Sequence, residues 1–273
     1  ERPHSEIKKR FEHFRPTYQS TPGSGEPVYL ESITKMCAAN RASLEVSYAH
    51  LSEAAPILAI WLADAPRDML DIFDEVANEV VLHKFPLYKS VVEEVHARIT
   101  ELPISDNLRD LRQAHLNALV KVTGVVTRRT AVFPQLKLCK YNCVKCAFVV
   151  GPFRQNGAQE VKPASCPNCQ SDGPFKLNQE ETVYRNYQKI ALQETPGSVP
   201  PGRVPRYKDV ILLADLIDQA RPGEEIEVIG IYRHGYDAAL GEKGGGGFPV
   251  FSTLIEANHI ATRDDVFSQR GLT

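Results

Sequence analysis

Four cysteines are the residues in this chain best suited to chemistry. Two residues lie between Cys143 and Cys146, two between Cys166 and Cys169, and nineteen between the pairs. That is the spacing of a four-cysteine zinc ribbon. Two thiolates three positions apart grip one ion from a single turn, and two such turns complete a tetrahedron. Four thiolates leave no position for water, so the expected cofactor is one structural Zn2+ with no catalytic part. Disulfides or four unrelated thiols are the competing readings. Residues 1–15 are charged throughout and do not form a secretory leader, which favours a reducing compartment and a metal. Cys37 and Cys139 lie outside both knuckles and are expected to be buried as small hydrophobes.

No catalytic constellation is found. The GEKGGGG stretch is not a phosphate-binding loop, because Lys243 precedes the glycines and Phe248-Pro249 follows them. The histidines are scattered, and none lies between Cys143 and Cys169. The closed sulfur set argues against a zinc hydrolase. The first residue is Glu1, so a processed product or fragment is expected.

Charge gives the second clue. The 273 residues carry a net charge of −2. Residues 31–110 hold 7 basic and 14 acidic side chains, whereas residues 111–210 hold 15 basic and 6 acidic ones. The segment containing the knuckles is therefore +9, the footprint of a polyanion-binding surface. No apolar run approaches the roughly 20 residues that span a membrane, so no membrane partner is expected.

Elements must position these residues. Residues 1–27 form an N-terminal segment with a short helix over 6–14 and a breaker cluster over 20–27. Residues 28–103 read mainly as helix. In DMLDIFDEVANEVVLH the apolar residues Met69, Ile72, Phe73, Val76 and Val80 recur at 3–4 spacing, between a start at Asp64 and Pro66 and a stop at Pro86. A preceding helix is entered at Ser52. From Leu116 the period changes to 2, with Gly124 marking a bulge or bend. The strands over 104–141 and 176–262 fit an OB-type β-barrel, with residues 142–175 as a zinc-ribbon insertion and 263–273 as a linker. The fold class is α+β. A Pro/Gly-rich loop spans 195–207, and a long hairpin spans 232–251.

A basic OB groove binds single-stranded nucleic acid through cations on phosphates and aromatics on bases. The candidates are Arg128, Arg129, Lys137, Arg233 and Lys243, with Tyr184, Tyr187, Tyr232 and Tyr236 for stacking. Each also has an ordinary reading, as a solvated cation or a core aromatic.

The order of helical unit, OB strands, inserted ribbon, Pro/Gly loop and hairpin resembles the N-terminal region of the minichromosome maintenance (MCM) replicative helicases. The stretches LRQAHLNALVKVTGVVT, PQLKLCKYNCVKCAFVVGPF, YRNYQKIALQETPG and DVILLADLIDQARPGEEIEVIGIY carry the likeness. It is strongest to the second-subunit branch of the eukaryotic family and runs from about residue 5 to residue 262. The resemblance implies a ring of different MCM subunits around single- and double-stranded DNA, joined head to head with a second ring through the ribbon. It implies an ATP- and Mg2+-dependent helicase motor beyond Thr273, so this chain would not itself be catalytic. Arg203 and Arg206 of the Pro/Gly loop would signal to that motor. Replication initiation and fork factors and a nuclear location follow from the same likeness. The four-glycine hairpin tip departs from the basic tips of simpler relatives. A free-standing zinc-ribbon and OB adaptor for protein or RNA is the alternative.

Overall fold

A computed structural model describes Lys8 and residues 28–155, 162–236 and 251–262. The late hairpin tip with Lys243, the 263–273 linker and, Lys8 apart, the N-terminal segment lie outside the described residues.

Helices dominate the first unit. α1 (Val28–Ala38) buries Tyr29, Ile33 and Met36 at 3–4 spacing. The helix expected to enter at Ser52 and carry residues 58–62 instead begins at Pro56, and Ser52 lies inside α2 (Tyr48–Ala54), which Ser47 caps, its Oγ accepting the His50 N–H at 3.4 Å. Pro56 and Pro66 then open α3 (Pro56–Asp64) and α4 (Pro66–Lys84) at positions where a missing N–H is harmless. α4 buries Met69, Ile72, Phe73 and Val76 and ends ahead of Pro86, as its periodicity predicts.

Two strands interrupt the expected run of helix. β1 (Ser43–Ser47) and β2 (His96–Thr100) pair in parallel, with Leu44 opposite Ala97 and Val46 opposite Ile99. All four side chains are buried. Each strand is five residues long, too short for its period to be read, and the pairing is non-local. Side chains complete the other edge of β2. Asn78 accepts the Val95 N–H at 2.8 Å and donates to Val95 O at 3.0 Å. Asp74 accepts the Ala97 N–H at 2.7 Å. Asn258 donates to Ala97 O at 3.0 Å and accepts the Ile99 N–H at 2.7 Å. Backbone groups that burial would orphan are thereby paired.

The second unit is built from β3 (Leu119–Arg129), β4 (Phe133–Cys143), β5 (Val149–Arg154), β6 (Phe175–Leu177), β7 (Val183–Gln193), β8 (Tyr207–Leu213), β9 (Glu225–Tyr236) and β10 (Phe251–Thr262). The pairings run β3–β9–β10–β8–β7, and β7 pairs back onto β3. Only β10–β8 is parallel within this mixed circuit. Alternate residues turn inward, among them Val120, Val122, Ile190, Leu192, Val210, Leu212, Val228 and Ile255. β3 changes partner from β9 to β7 at Val125, beside Gly124. A Cβ on Gly124 would lie 2.5 Å from Gln193 O, so the glycine permits close backbone approach at that change.

The cysteine segment and the OB strands share β4. β4 runs two residues past Tyr141, pairing with β7 through Phe133–Leu138 and with β5 and β6 further on. β5 falls within the stretch that the sequence reading left without a strand. Val150, Phe153 and Phe175 pack around the cysteines.

Candidate metal centre and basic surface

Each knuckle is a tight turn closed by a left-handed residue. Ala147 (φ 56°) donates its N–H to Cys143 O at 2.9 Å, and Gln170 (φ 53°) donates to Cys166 O at 2.8 Å. The return bonds match too: the Cys143 N–H reaches Phe148 O and the Cys166 N–H reaches Ser171 O, both at 3.0 Å. Each turn therefore aims two sulfurs the same way.

All four Sγ atoms lie within 4.8 Å of one another. Cys143 and Cys169 are 3.7 Å apart and Cys146 and Cys166 are 3.6 Å apart. A tetrahedron with metal–sulfur bonds of about 2.3 Å has edges of roughly 3.8 Å, so the set fits one ion. Four thiolates this close repel one another unless a cation sits among them, which suits a divalent metal. The Cys146 N–H, with the Lys145 N–H and the Ser171 hydroxyl, brings Cys143 down to about 6 against its burial. Cys146 receives the Phe148 N–H, yet burial and its contacts with Cys169, Cys166 and Cys143 push it up to about 11. Cys169 is lowered by the Ser171 hydroxyl and then by the Ser171 N–H. Cys139 is fully buried and Cys37 half-buried, outside this group.

The basic candidates fall in different surroundings. Arg128 is exposed at the end of β3, and Arg129 beside it pairs with Asp218 at 3.2 Å. The turn that follows is held by buried Gln188, which donates to Thr130 O and to Asp218 Oδ1, each at 3.1 Å. Phe133 stands just beyond, 53% exposed. Lys137 instead pairs with Glu94 in a cleft of about 400 Å3 between the helical unit and β4. Arg233 pairs with Glu256 of β10. Tyr184 is exposed and Tyr187 half-buried, but Tyr232 is 3% exposed and belongs to the core. Its ring lies under Lys208 Nζ at 5.5 Å, so it is removed from the stacking candidates. The Tyr236 side chain lies outside the described residues. Gln188 lies in a stretch that carries the family likeness and Phe133 does not, but no spacing marks either one; exposure and hydrogen bonding alone single them out.

The Pro/Gly loop carries Arg203 and Arg206 on its surface. Glu194 clamps its base, accepting Arg109 Nε and Nη2 at 3.1 and 2.9 Å and the Arg206 N–H at 2.9 Å. Arg109 also donates to Val204 O at 3.1 Å.

Two family models match the chain: the MCM N-terminal domain over residues 8–101 and the MCM OB domain over residues 107–236. The DNA replication licensing factor MCM2 of Oryza sativa subsp. indica is 52% identical over 268 residues, covering 98% of this chain and 28% of that protein. Its Drosophila melanogaster counterpart is 51% identical over 271 residues, covering 99% and 30%. That of Schizosaccharomyces pombe is 52% identical over 273 residues, covering 98% and 32%. The chain thus spans less than a third of the length of these relatives. With both domains matched in order and about half of all positions shared, the chain belongs to the minichromosome maintenance family, in its MCM2 branch.

Proposed function

We propose that this chain is the DNA-encircling, ring-assembling N-terminal part of one subunit of a hexameric replicative DNA helicase, acting as replication begins and as forks advance in the nucleus. The observation that carries the reading is the two matched domains in order, with identity running through nearly the whole chain. The circuit of β3, β9, β10, β8 and β7 supports an OB barrel lining the channel. Arg128 and Arg129 would hold DNA phosphates while Phe133 stacks on a base, with Arg233 and Lys243 on the late hairpin. Lys137 would contribute only on leaving Glu94. Cys143, Cys146, Cys166 and Cys169 would hold one Zn2+, which stiffens the ribbon where two rings meet. The neighbours would be other MCM subunits. The ATPase tier, with its ATP and Mg2+, would receive Arg203 and Arg206.

Co-expression with the N-terminal parts of the partner subunits tests the reading. Mass photometry should show closed rings holding each subunit once. A chain that stays monomeric in that mixture, or forms a stable homohexamer alone at micromolar concentration, overturns it.

A further inference from the structure

The two knuckles share a backbone and their two cysteines but no other side chain. Cys143-Val144-Lys145-Cys146-Ala147-Phe148 and Cys166-Pro167-Asn168-Cys169-Gln170-Ser171 make the same two backbone bonds, and each places a left-handed residue fifth. They differ at the sixth position. Phe148 offers no side-chain donor and is 43% exposed. The Ser171 hydroxyl lies 3.2 Å from Cys169 Sγ and 3.7 Å from Cys143 Sγ. One sulfur of each turn is thus within its reach, but its single proton goes to one at a time, and Cys169 is the nearer.

Cys169 is the exposed member of the set; Cys143 and Cys166 are buried and Cys146 is half-buried. A competing chelator or a proton must enter where a sulfur is accessible, so loss of an ion begins at Cys169. That is the sulfur with the closest hydroxyl. A hydrogen bond to a coordinating thiolate draws off charge and fixes the sulfur's direction, making the ligand harder to protonate and displace.

We propose that Ser171 is the residue that retains the ribbon ion, its hydroxyl donating to Cys169 so that the exposed corner of the site opens slowly. This rests on the reading that the four cysteines bind zinc. Ser171 is a positioning residue: it acts through the cysteines and supplies no ligand.

The test follows zinc itself. The wild-type protein is loaded, its content measured, and its loss to a colorimetric chelator timed. Ser171→Ala should release zinc about ten times faster or more, in line with the 10- to 100-fold cost of losing such partners. Ser171→Thr, which keeps the hydroxyl, should restore slow release. With Co2+ in place of zinc, Ser171→Ala should move the sulfur-to-metal charge-transfer band to longer wavelength, because the thiolates become richer in charge. A purely structural residue would leave that band where it is. Equal release rates with an unshifted band, or no rescue by threonine, overturn the inference while leaving the metal reading intact. Failure of the wild-type protein to take up zinc overturns both, before any variant is compared.

Discussion

The side-chain oxygen of Asn258 accepts the Ile99 N–H at 2.7 Å across the boundary between the helical unit and the OB strands. Its amide nitrogen donates to Ala97 O at 3.0 Å, so one side chain serves β2 as a neighbouring peptide group would. Asn258 is 7% exposed, and water cannot replace it freely. Asn258→Ala orphans a donor and an acceptor, each at a cost of about 1–3 kcal/mol. The midpoint of urea unfolding should fall accordingly, and an unchanged midpoint would reject this joint.

Acid should weaken the same boundary and the Pro/Gly loop together. The Arg109 hydrogen bonds hold the Glu194 carboxyl below its ordinary range. Burial pushes Asp215 and Glu94 up, yet both lie below their ordinary range, Asp215 lowered chiefly by Arg98 and the Ser43 hydroxyl and Glu94 chiefly by Lys137. Carboxyls depressed in the folded state stabilise it above their unfolded values of about 4, and that contribution is lost as pH falls through the folded values. Thermal melts between pH 7 and pH 3 should show stability falling below about pH 4.5. Glu194→Gln should be less stable at neutral pH and lose less on acidification. A parallel pair of curves would contradict this.

Metal removal should be local. Elemental analysis should give one zinc per chain, held by the four clustered cysteines. A strong chelator should unfold the 142–175 stretch, because the ion contributes folding energy directly. The OB core has its own buried cluster and should keep its melting transition. Global unfolding on chelation would mean that the core depends on the metal.

Binding to single-stranded DNA should be modest and fall steeply with salt, because phosphate contacts release counterions. Arg128→Glu with Arg129→Glu should abolish it. Neutral replacement of one should lower the slope of log affinity against log salt by about 0.7. Fluorescence anisotropy across a salt series measures both. Unaltered binding in the double variant would move the site elsewhere.

Shortening the 195–207 loop in the full complex should leave DNA binding and assembly intact and uncouple ATP hydrolysis from unwinding. Parallel ATPase and strand-separation assays measure this. Unwinding at the parental rate would leave the loop a plain connector.

How much of this was legible in the sequence depends on the range of the interaction. The knuckles are local, so spacing alone brought the four cysteines together. α4 advertised itself by five apolar residues at helical spacing, and Pro66 and Pro86 marked its ends. β1 and β2 were missed because strands of five residues take their identity from a partner distant in the chain. β5 was missed although its partner β4 is near, because Gly151 and Pro152 in its middle read as a break. The basic residues were legible as charges but not as neighbours. Nothing beside Lys137 in the chain shows that Glu94 will take it, and nothing beside Tyr232 shows that its ring is covered. Ser171 lies two residues from a cysteine, yet its hydroxyl becomes informative only once two sulfurs stand within reach.

β4 has a mechanical consequence. Its 11 residues extend over about 36 Å, one end gripped by β7 and the other by β5 and β6. The pairing slips twice on the way, between Leu136 and Leu138 against β7 and between Cys139 and Tyr141 against β5. A strand bends and twists more sharply at such irregularities. A push on the cysteine knuckles is therefore taken up in the middle of β4, and the end of β3 that bears Arg128 and Arg129 is cushioned from it.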